Sequence, residues 1–575
     1  MLMLDEKARK EARKFALKNA IDYGKADAGA VISKVLASDP KLRDNVKELA
    51  KLVAEVVQEV NKMSEAQVQK EFDAHAKEFD KLEREKQERS AKPKMELEGA
   101  VSGKFASRFP PGPNGYMHIG HAKGAFLARE FANIYKGKNF LYFDDTNPEK
   151  DRQEFVDEFH KDLEWLGIGF DQEYYASDDI EKIYGYAKQL ISSGNAYACT
   201  CTLEEIRRNR FGGVECKHRK QPKATNERLF AEMLAGKHEE NSVVIRFMGE
   251  MGSKNTALRD PTILRIKKGK HYRQGNKYLV WPTYAFNTPI EDSIHGVTDI
   301  IRSKEFELLT ELSELMLNAL GLRVPRVHID ARLVIKDNVT HKRELNKLIK
   351  EHVLEGWDDP RLATIAGLRR RGVQPRAIKE FVLRFGMSKT DSKVGMEMLL
   401  AENRMAIDDV ARRLFLVEEP VEVKISGMPK DQATVKLNLH PSKSLGQREA
   451  SVSDTLLISG SDAKTLKKGA RFRFKDLFNV EVEEAGKAVR ARFVGNENID
   501  APKFQWVDAK KKVRCELLLV GPLLVGESFN SKSLIRVEAY AEEFVNSLKK
   551  DEIVQFERVG FYKLDDLKQK TFISL

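Results

Sequence analysis

The chain has 575 residues, 41% of them hydrophobic and 33% charged, with a formal charge of +11. That length and apolar content suit several domains with proper cores, and the basic balance suits a polyanionic partner. No apolar run is long enough to span a bilayer, the charged start Met1-Leu-Met-Leu-Asp-Glu-Lys-Ala-Arg-Lys10 does not read as a secretory signal, and four cysteines, three of them clustered, argue against a disulfide framework. A cytoplasmic protein with no membrane partner is expected.

Four regions follow in chain order. Residues 1–97 read as a helical appendage: Leu36, Val46, Leu49, Leu52, Val53, Val56, Val57 and Val60 recur at helical spacing, and Phe79–Arg89 reads as a mixed-charge, solvated helix. Residues 98–335 alternate short apolar strands, such as Phe140–Phe143 and Val243–Phe247, with helices, the pattern of a parallel, doubly wound α/β sheet. Residues 336–417 read as helical. From 418 to 575 strand patterns take over, at Val421–Ile425, Ala433–Leu439, Val489–Phe493, Val513–Val520 and Ile553–Phe556, and predict all-β barrels. Cys515 reads as barrel core, and Lys510, Lys511, Lys512 and Arg514 as phosphate contacts or a solvated hairpin tip.

Chemistry concentrates at Arg108-Phe-Pro-Pro-Gly-Pro-Asn-Gly-Tyr-Met-His-Ile-Gly-His121. Pro110, Pro111 and Pro113 stiffen the approach, and Gly112 and Gly115 free the backbone to pass close to an anion at the following helix N-terminus. His118 and His121 stand three residues apart, one helical turn. Gly120 between them leaves room for a flat ring such as a purine. The helix continues through Tyr135, with Ala125, Phe126, Ala128, Phe131 and Ile134 apolar. Separately, Cys199-Thr-Cys201 and Cys216-Lys-His218 offer thiolates and an imidazole, two close pairs that could close a tetrahedral zinc site.

His118-Ile-Gly-His121 matches the HIGH motif of class I aminoacyl-tRNA synthetases, and its surroundings resemble the glutamyl/glutaminyl branch. Phe143–Pro148, Asp162–Gly167, Trp281–Tyr284, His295–Arg302, Glu355–Arg361 and Gly367–Gly372 resemble further blocks of that branch in its chain order. The resemblance implies a Rossmann-like catalytic fold with an acceptor-end-binding insertion at about 195–280, a helical connection to the tRNA stem, and anticodon-binding barrels. β-barrels in place of a helical ending, with Val520–Val525 and Gln555–Phe561, resemble the archaeal form of the glutamyl enzymes.

By this resemblance, ATP with Mg²⁺ would be bound by His118, Gly120, His121, Arg332 and Lys342. L-glutamate would be held by Arg108 at a carboxylate, Asp144 at the α-ammonium, Tyr284 lining the pocket, and Arg302 at the side-chain carboxylate. An arginine fork selects a carboxylate over a neutral amide, whereas glutaminyl enzymes carry a small uncharged residue at the position of Arg302. The branch's second nucleotide motif, KMSKS, falls on Val339-Thr-His-Lys-Arg343, where Thr340 and His341 depart from the pattern; Lys62–Glu65 and Gly386–Thr390 are decoys by position. Cys199, Cys201, Cys216 and His218 sit where several glutamyl enzymes carry structural zinc. Partners would be tRNA-Glu and, if the anticodon barrels tolerate it, tRNA-Gln, with an amidotransferase downstream. Pro110-Pro111 and Phe143-Asp-Asp-Thr-Asn147 read more like glutaminyl enzymes, so a glutaminyl enzyme is the alternative. A catalytically dead tRNA-binding regulator would be expected to lose HIGH or Arg302, and a small-molecule nucleotidyltransferase has no need of the barrels or the insertion.

Overall fold

Alternation of apolar faces builds two units, Met1–Lys92 and Pro93–Leu575; the computed structural model describes residues 2–38, 46–73, 95–339, 342–429 and 433–575. In the first unit, helices Leu2–Tyr23, Ala28–Ser38, Val46–Val60 and Glu65–Asp73 close on Ala12, Ala16, Leu17, Val31, Val53 and Val56. The apolar repeat points inward from Leu49 onward, but Val46, at the helix start, is 42% exposed. The expected helix Phe79–Arg89 lies outside the described residues.

In the second unit, strands β1 (Ala106–Phe109), β2 (Lys138–Phe143) and β3 (Gln172–Tyr175) pair in parallel. Strands β8 (Asp299–Ser303) and β9 (Arg326–Asp330) pair in parallel too. The two sheets are tied where Ala106 N–H donates to Thr298 Oγ1 and Thr298 N–H to the Ala106 carbonyl, both at 2.8 Å. Helices Ile119–Ile134 and Gln153–Leu166 cover β1 and β2 with Phe126, Val156, Phe159 and Leu163. Ile134, expected on the apolar face, is 46% exposed at the helix end.

Between β3 and β8 the chain inserts an antiparallel sheet, β4 (Ala196–Cys199), β5 (Val244–Phe247), β6 (Thr262–Ile266) and β7 (Val280–Pro282), with helices Leu203–Gly212 and Lys223–Leu234 between β4 and β5. Helices Lys342–Lys350, Ile365–Arg371, Pro375–Leu383 and Met396–Ile407 follow. Within that largely helical stretch a strand intervenes: β11 (Ser392–Val394) pairs in parallel with β10 (Leu333–Ile335). Three residues carry no periodicity to read, and only the neighbouring edge makes them a strand.

The C-terminal part forms two seven-stranded, barrel-like sheets. One runs Arg412–Leu414, Ile553–Phe556, Gly560–Asp566, Thr571–Ser574, Val513–Val520, Leu534–Ala541, Leu416–Glu418, so pairing begins before residue 418. The other runs Lys503–Phe504, Arg471–Phe474, Asn479–Glu484, Val489–Gly495, Val421–Ser426, Thr455–Ile458, Val507–Asp508. Cys515 is buried in the first, as expected. No helix among the described residues is long and apolar enough to cross a membrane.

Candidate active site

The proline-rich loop delivers its helix to the carboxyl ends of β1 and β2, the edge where open α/β sheets bind ligands. Asp144 N–H donates to the Pro111 carbonyl (3.1 Å), bringing the loop onto the end of β2. A Cβ on Gly112 would lie 2.8 Å from Asn114 Nδ2, so a side chain there would displace the Asn114 amide.

His118 is the N-cap of helix Ile119–Ile134 and His121 its third residue. Gly120 N–H donates to His118 Nδ1 (3.1 Å), and His118 N–H to His121 Nδ1 (3.3 Å). Each Nδ1 is thereby an acceptor, so each neutral ring carries its proton on Nε2 and presents a donor. The rings stack with centroids 3.8 Å apart. Exclusion of solvent pushes His118 down to about 4, and His121, facing the same desolvation and then His118, also falls well below the usual histidine range. Two neutral Nε2–H donors at a helix N-terminus suit a phosphate without adding fixed charge. Gly120 matters on its own account, because a Cβ there would press on the His118 ring at 3.0–3.1 Å and shift it by a few tenths of an ångström.

The segment Asp359–Ile365 clamps this helix start to the next loop. Ile119 N–H donates to the Ala363 carbonyl and Ile365 N–H to the Met117 carbonyl. On its other side, Asn338 Nδ2 donates to the Arg361 carbonyl (2.8 Å) and Ala363 N–H to Asn338 Oδ1 (3.3 Å). A buried Asp359–Arg361 pair at 2.7–2.8 Å fixes the segment. The Gly-Trp-Asp-Asp-Pro-Arg block therefore holds the HIGH helix and the loop leading to Lys342 in one frame. Helix Lys342–Lys350 starts at Lys342; its side chain, with Thr340 and His341, lies outside the described residues. Arg332 follows β9 and pairs with Asp391 at 2.9 Å, half-exposed. The decoy segment at Ser388 lies against the end of β9, where Ala331 N–H donates to its carbonyl.

Arg108, Asp144, Tyr284 and Arg302, the residues expected to hold the amino acid, lie near one another: the charges of Arg108, Arg302 and Asp144 all act on the Tyr284 hydroxyl. Arg108, expected to hold a substrate carboxylate, is already engaged. Its Nε and Nη2 donate to the two oxygens of Asp292 at 2.7 and 3.2 Å, with both side chains buried, and only Nη1 is left, making a long 3.4 Å contact to the Ile301 carbonyl. Arg302 is the opposite case. It is 3% exposed, its Nη1 reaches Thr310 Oγ1 at 3.4 Å, its Nε has no hydrogen-bond partner, and no carboxylate pairs with it among the described residues. Neither Glu305 nor Asp299 takes it; Asp299 is bound by Arg326 and His328 instead. Desolvation lowers the Arg302 pKa, and the Tyr284 hydroxyl and the Asp292 carboxylate, which is already paired with Arg108, offset it only in part. Burial raises Asp144 to about 6, offset by its hydrogen bond from Thr146.

Sequence reasoning missed Asp292, Asn338 and Lys123, whose ammonium is buried against Asp330 (2.7 Å) and ties the HIGH helix to the end of β9. Arg108 and Asp292 stand 184 residues apart, and no local pattern links them.

In the insertion, Cys199 and Cys201 at the end of β4 meet Cys216 and His218 on the next turn. Cys216 Sγ lies 3.6 Å from both other sulfurs and 3.4 Å from His218 Nδ1, and Cys201 Sγ lies 3.6 Å from that nitrogen. Zinc bonds of about 2.3 Å to sulfur and 2.0 Å to nitrogen at tetrahedral angles span about 3.5–3.8 Å between ligands, so the donor set fits. Thr200 Oγ1 engages His218 Nε2 at 3.0 Å, leaving Nδ1 to face the thiols.

Residues 104–409 match the family described as tRNA synthetases class I (E and Q), catalytic domain, and residues 411–494 and 503–565 match its two anti-codon binding domains. A glutamate-tRNA ligase of Nitrosopumilus maritimus is 38% identical over 571 residues, covering 99% of this chain and 100% of that protein. The glutamate-tRNA ligase of Pyrococcus furiosus is 37% identical, over 98% of this chain and 99% of its own length. That of Cenarchaeum symbiosum is 36% identical over 98% of each. The chain belongs to the class I (E and Q) tRNA synthetases, and within them to the archaeal type of glutamate-tRNA ligase.

Proposed function

We propose that this enzyme activates L-glutamate with ATP and transfers it to the 3′-terminal adenosine of tRNA-Glu, working in the cytoplasm. The observation that carries the reading is Arg302, a buried guanidinium with no ion-pair partner among the described residues. A glutamate side chain supplies the missing carboxylate, whereas glutamine would leave the cation unneutralised in a desolvated pocket. Tyr284 lines that pocket, and Asp144, ionised above about pH 6, takes the α-ammonium. Arg108, neutralised by Asp292, acts through its remaining nitrogen and by positioning β1 against β8.

In the first step an oxygen of the glutamate α-carboxylate attacks the α-phosphate, and the bond to the leaving pyrophosphate breaks. The Nε2–H groups of His118 and His121 donate to phosphate oxygens, Gly120 keeps their rings in place, and Lys342 with Arg332 neutralises charge on the departing pyrophosphate. Mg²⁺, carried in on the triphosphate, screens its charge when bound. The terminal ribose hydroxyl, the 2′ by class I analogy, then attacks the adenylate carbonyl and AMP leaves. No side chain stands out as a general base, so the protein contributes mainly position and charge. Cys199, Cys201, Cys216 and His218 would hold zinc as a structural cross-link, since four protein ligands leave no open position for chemistry.

A polar pocket of about 640 Å³ lined by Arg413, Lys436, Gln447, Lys475, Gln555 and Arg558 lies among the C-terminal strands and would receive a base of the anticodon loop. The test is charging of tRNA-Glu and tRNA-Gln with labelled glutamate and, in parallel, glutamine. Glutamate on tRNA-Glu supports the reading, glutamate on both adds a permissive enzyme with an amidotransferase downstream, and glutamine on tRNA-Gln overturns it.

A further inference from the structure

Arg302 has a counterpart in the insertion. Arg246 on β5 is 1% exposed, and no carboxylate among the described residues forms an ion pair with it. It stands opposite Tyr197 of β4, two residues before Cys199, so register and pleat put Arg246, Tyr197 and Cys199 on one face of the sheet. Its Nε donates to the Asp260 carbonyl at 2.8 Å, and its guanidinium carbon lies 5.5 Å from the Tyr197 ring. Nη1 faces the Cys199 sulfur at 4.0 Å, and Nη2 has no hydrogen-bond partner. Asp260 is engaged elsewhere: its carboxylate accepts from the Tyr197 hydroxyl (2.8 Å) and Gly249 N–H (2.9 Å) and pairs with Arg219 (3.2 Å).

A buried cation without an ion pair is unfavourable, so a fold that keeps one calls for negative charge close by. Cysteine sulfur is what lies there. Tyr197, Ile206 and Val244 jacket Cys199, Cys201 and Cys216, and of the three sulfur-bearing residues Cys199 is the most enclosed, 0% exposed against 8% and 4%. Neutral thiols would leave Arg246 uncompensated. Three thiolates and a neutral imidazole around a divalent zinc carry one net negative charge, spread over the sulfurs. One guanidinium beside the least hydrated of them brings the buried total to zero.

We propose that Arg246 is the internal counter-ion of a zinc–thiolate centre: its charge holds Cys199 as a metal ligand and slows loss of the ion. This rests on the reading of Cys199, Cys201, Cys216 and His218 as zinc ligands.

The experiment uses the full chain, stripped with a chelator and reloaded with zinc or with cobalt as a spectroscopic probe, in wild type, Arg246→Met and Arg246→Lys. Arg246→Met is expected to bind zinc about 10- to 100-fold more weakly, what losing the partner of a metal ligand costs, and to release it faster to a colorimetric chelator. Arg246→Lys, which keeps the charge, should recover most of that loss. The thiolate-to-cobalt charge-transfer band should move to longer wavelength in Arg246→Met, because a cation near sulfur lowers the energy of the donor electrons. Without metal, Arg246→Met should melt no lower than wild type, since the uncompensated charge is gone. Zinc affinity within twofold of wild type in Arg246→Met, equal losses in Arg246→Met and Arg246→Lys, an unmoved band, or a metal-free melting temperature lowered by several degrees would each overturn the inference and leave the zinc reading standing. Wild-type chain that takes up neither zinc nor cobalt would overturn both.

Discussion

Replacing Arg302 by methionine separates two effects that usually run together. In the ligand-free protein Arg302 is 3% exposed with an unpartnered Nε and one long hydrogen bond. A buried donor left unsatisfied costs about 1–3 kcal/mol, so an unbranched apolar side chain of similar reach should leave the melting temperature unchanged or raise it. With glutamate bound, the same substitution strands the side-chain carboxylate in a desolvated pocket. Removing one partner of a buried pair costs about 3–5 kcal/mol, which is roughly 10²–10⁴ in kcat/KM. The assay is ATP-pyrophosphate exchange at saturating tRNA-Glu over a glutamate series, alongside a thermal melt. A melting temperature lowered by several degrees with kcat/KM for glutamate near wild type would make Arg302 a structural cation and refute the reasoning.

Four further outcomes follow from the same geometry. Gly120→Ala should displace the His118 ring by a few tenths of an ångström and weaken ATP use about tenfold in exchange assays, with the KM for glutamate changed little, because a catalytic group is sensitive to sub-ångström placement. The KM for glutamate should climb as pH falls through about 6: the Asp144 pKa is raised, so its charged form, needed for the ammonium, is present above that value and lost below it. His118, held down at about 4, and His121, held well below the usual histidine range, should give no inflection between pH 6 and 8, where a steady-state pH profile can see one. Elemental analysis should find one zinc per chain, and Cys216→Ser, which removes the sulfur at the centre of the cluster, should lose it and lower tRNA binding while ATP binding holds.

Much of the site could be read from the chain because its chemistry is local. Proline and glycine shape the phosphate loop within a few residues, two histidines one helical turn apart share a face, and two close Cys/His pairs can converge on one turn. Lys342 could be placed by its order between two motifs, although its side chain lies outside the described residues. Arg108 shows where such reasoning stops: as a residue type it suits a carboxylate, yet the partner it meets is an aspartate of its own chain. Strand β11 was invisible for a related reason, since three residues take their conformation from the edge of β10.

The sequence by itself determined much of the succession of helices and strands and offered candidates for the nucleotide loop and for the cation at a glutamate side chain, because periodicity, backbone freedom and side-chain chemistry are properties of short segments. Only the tertiary structure decided which of two buried arginines remains unneutralised. Asp292 stands 184 residues from Arg108 and pairs with it, while no carboxylate among the described residues forms an ion pair with Arg302, which feels Asp292 only at longer range. Charge compensation in a desolvated pocket depends on distances of a few ångströms between segments remote in the chain, and folding alone sets those distances.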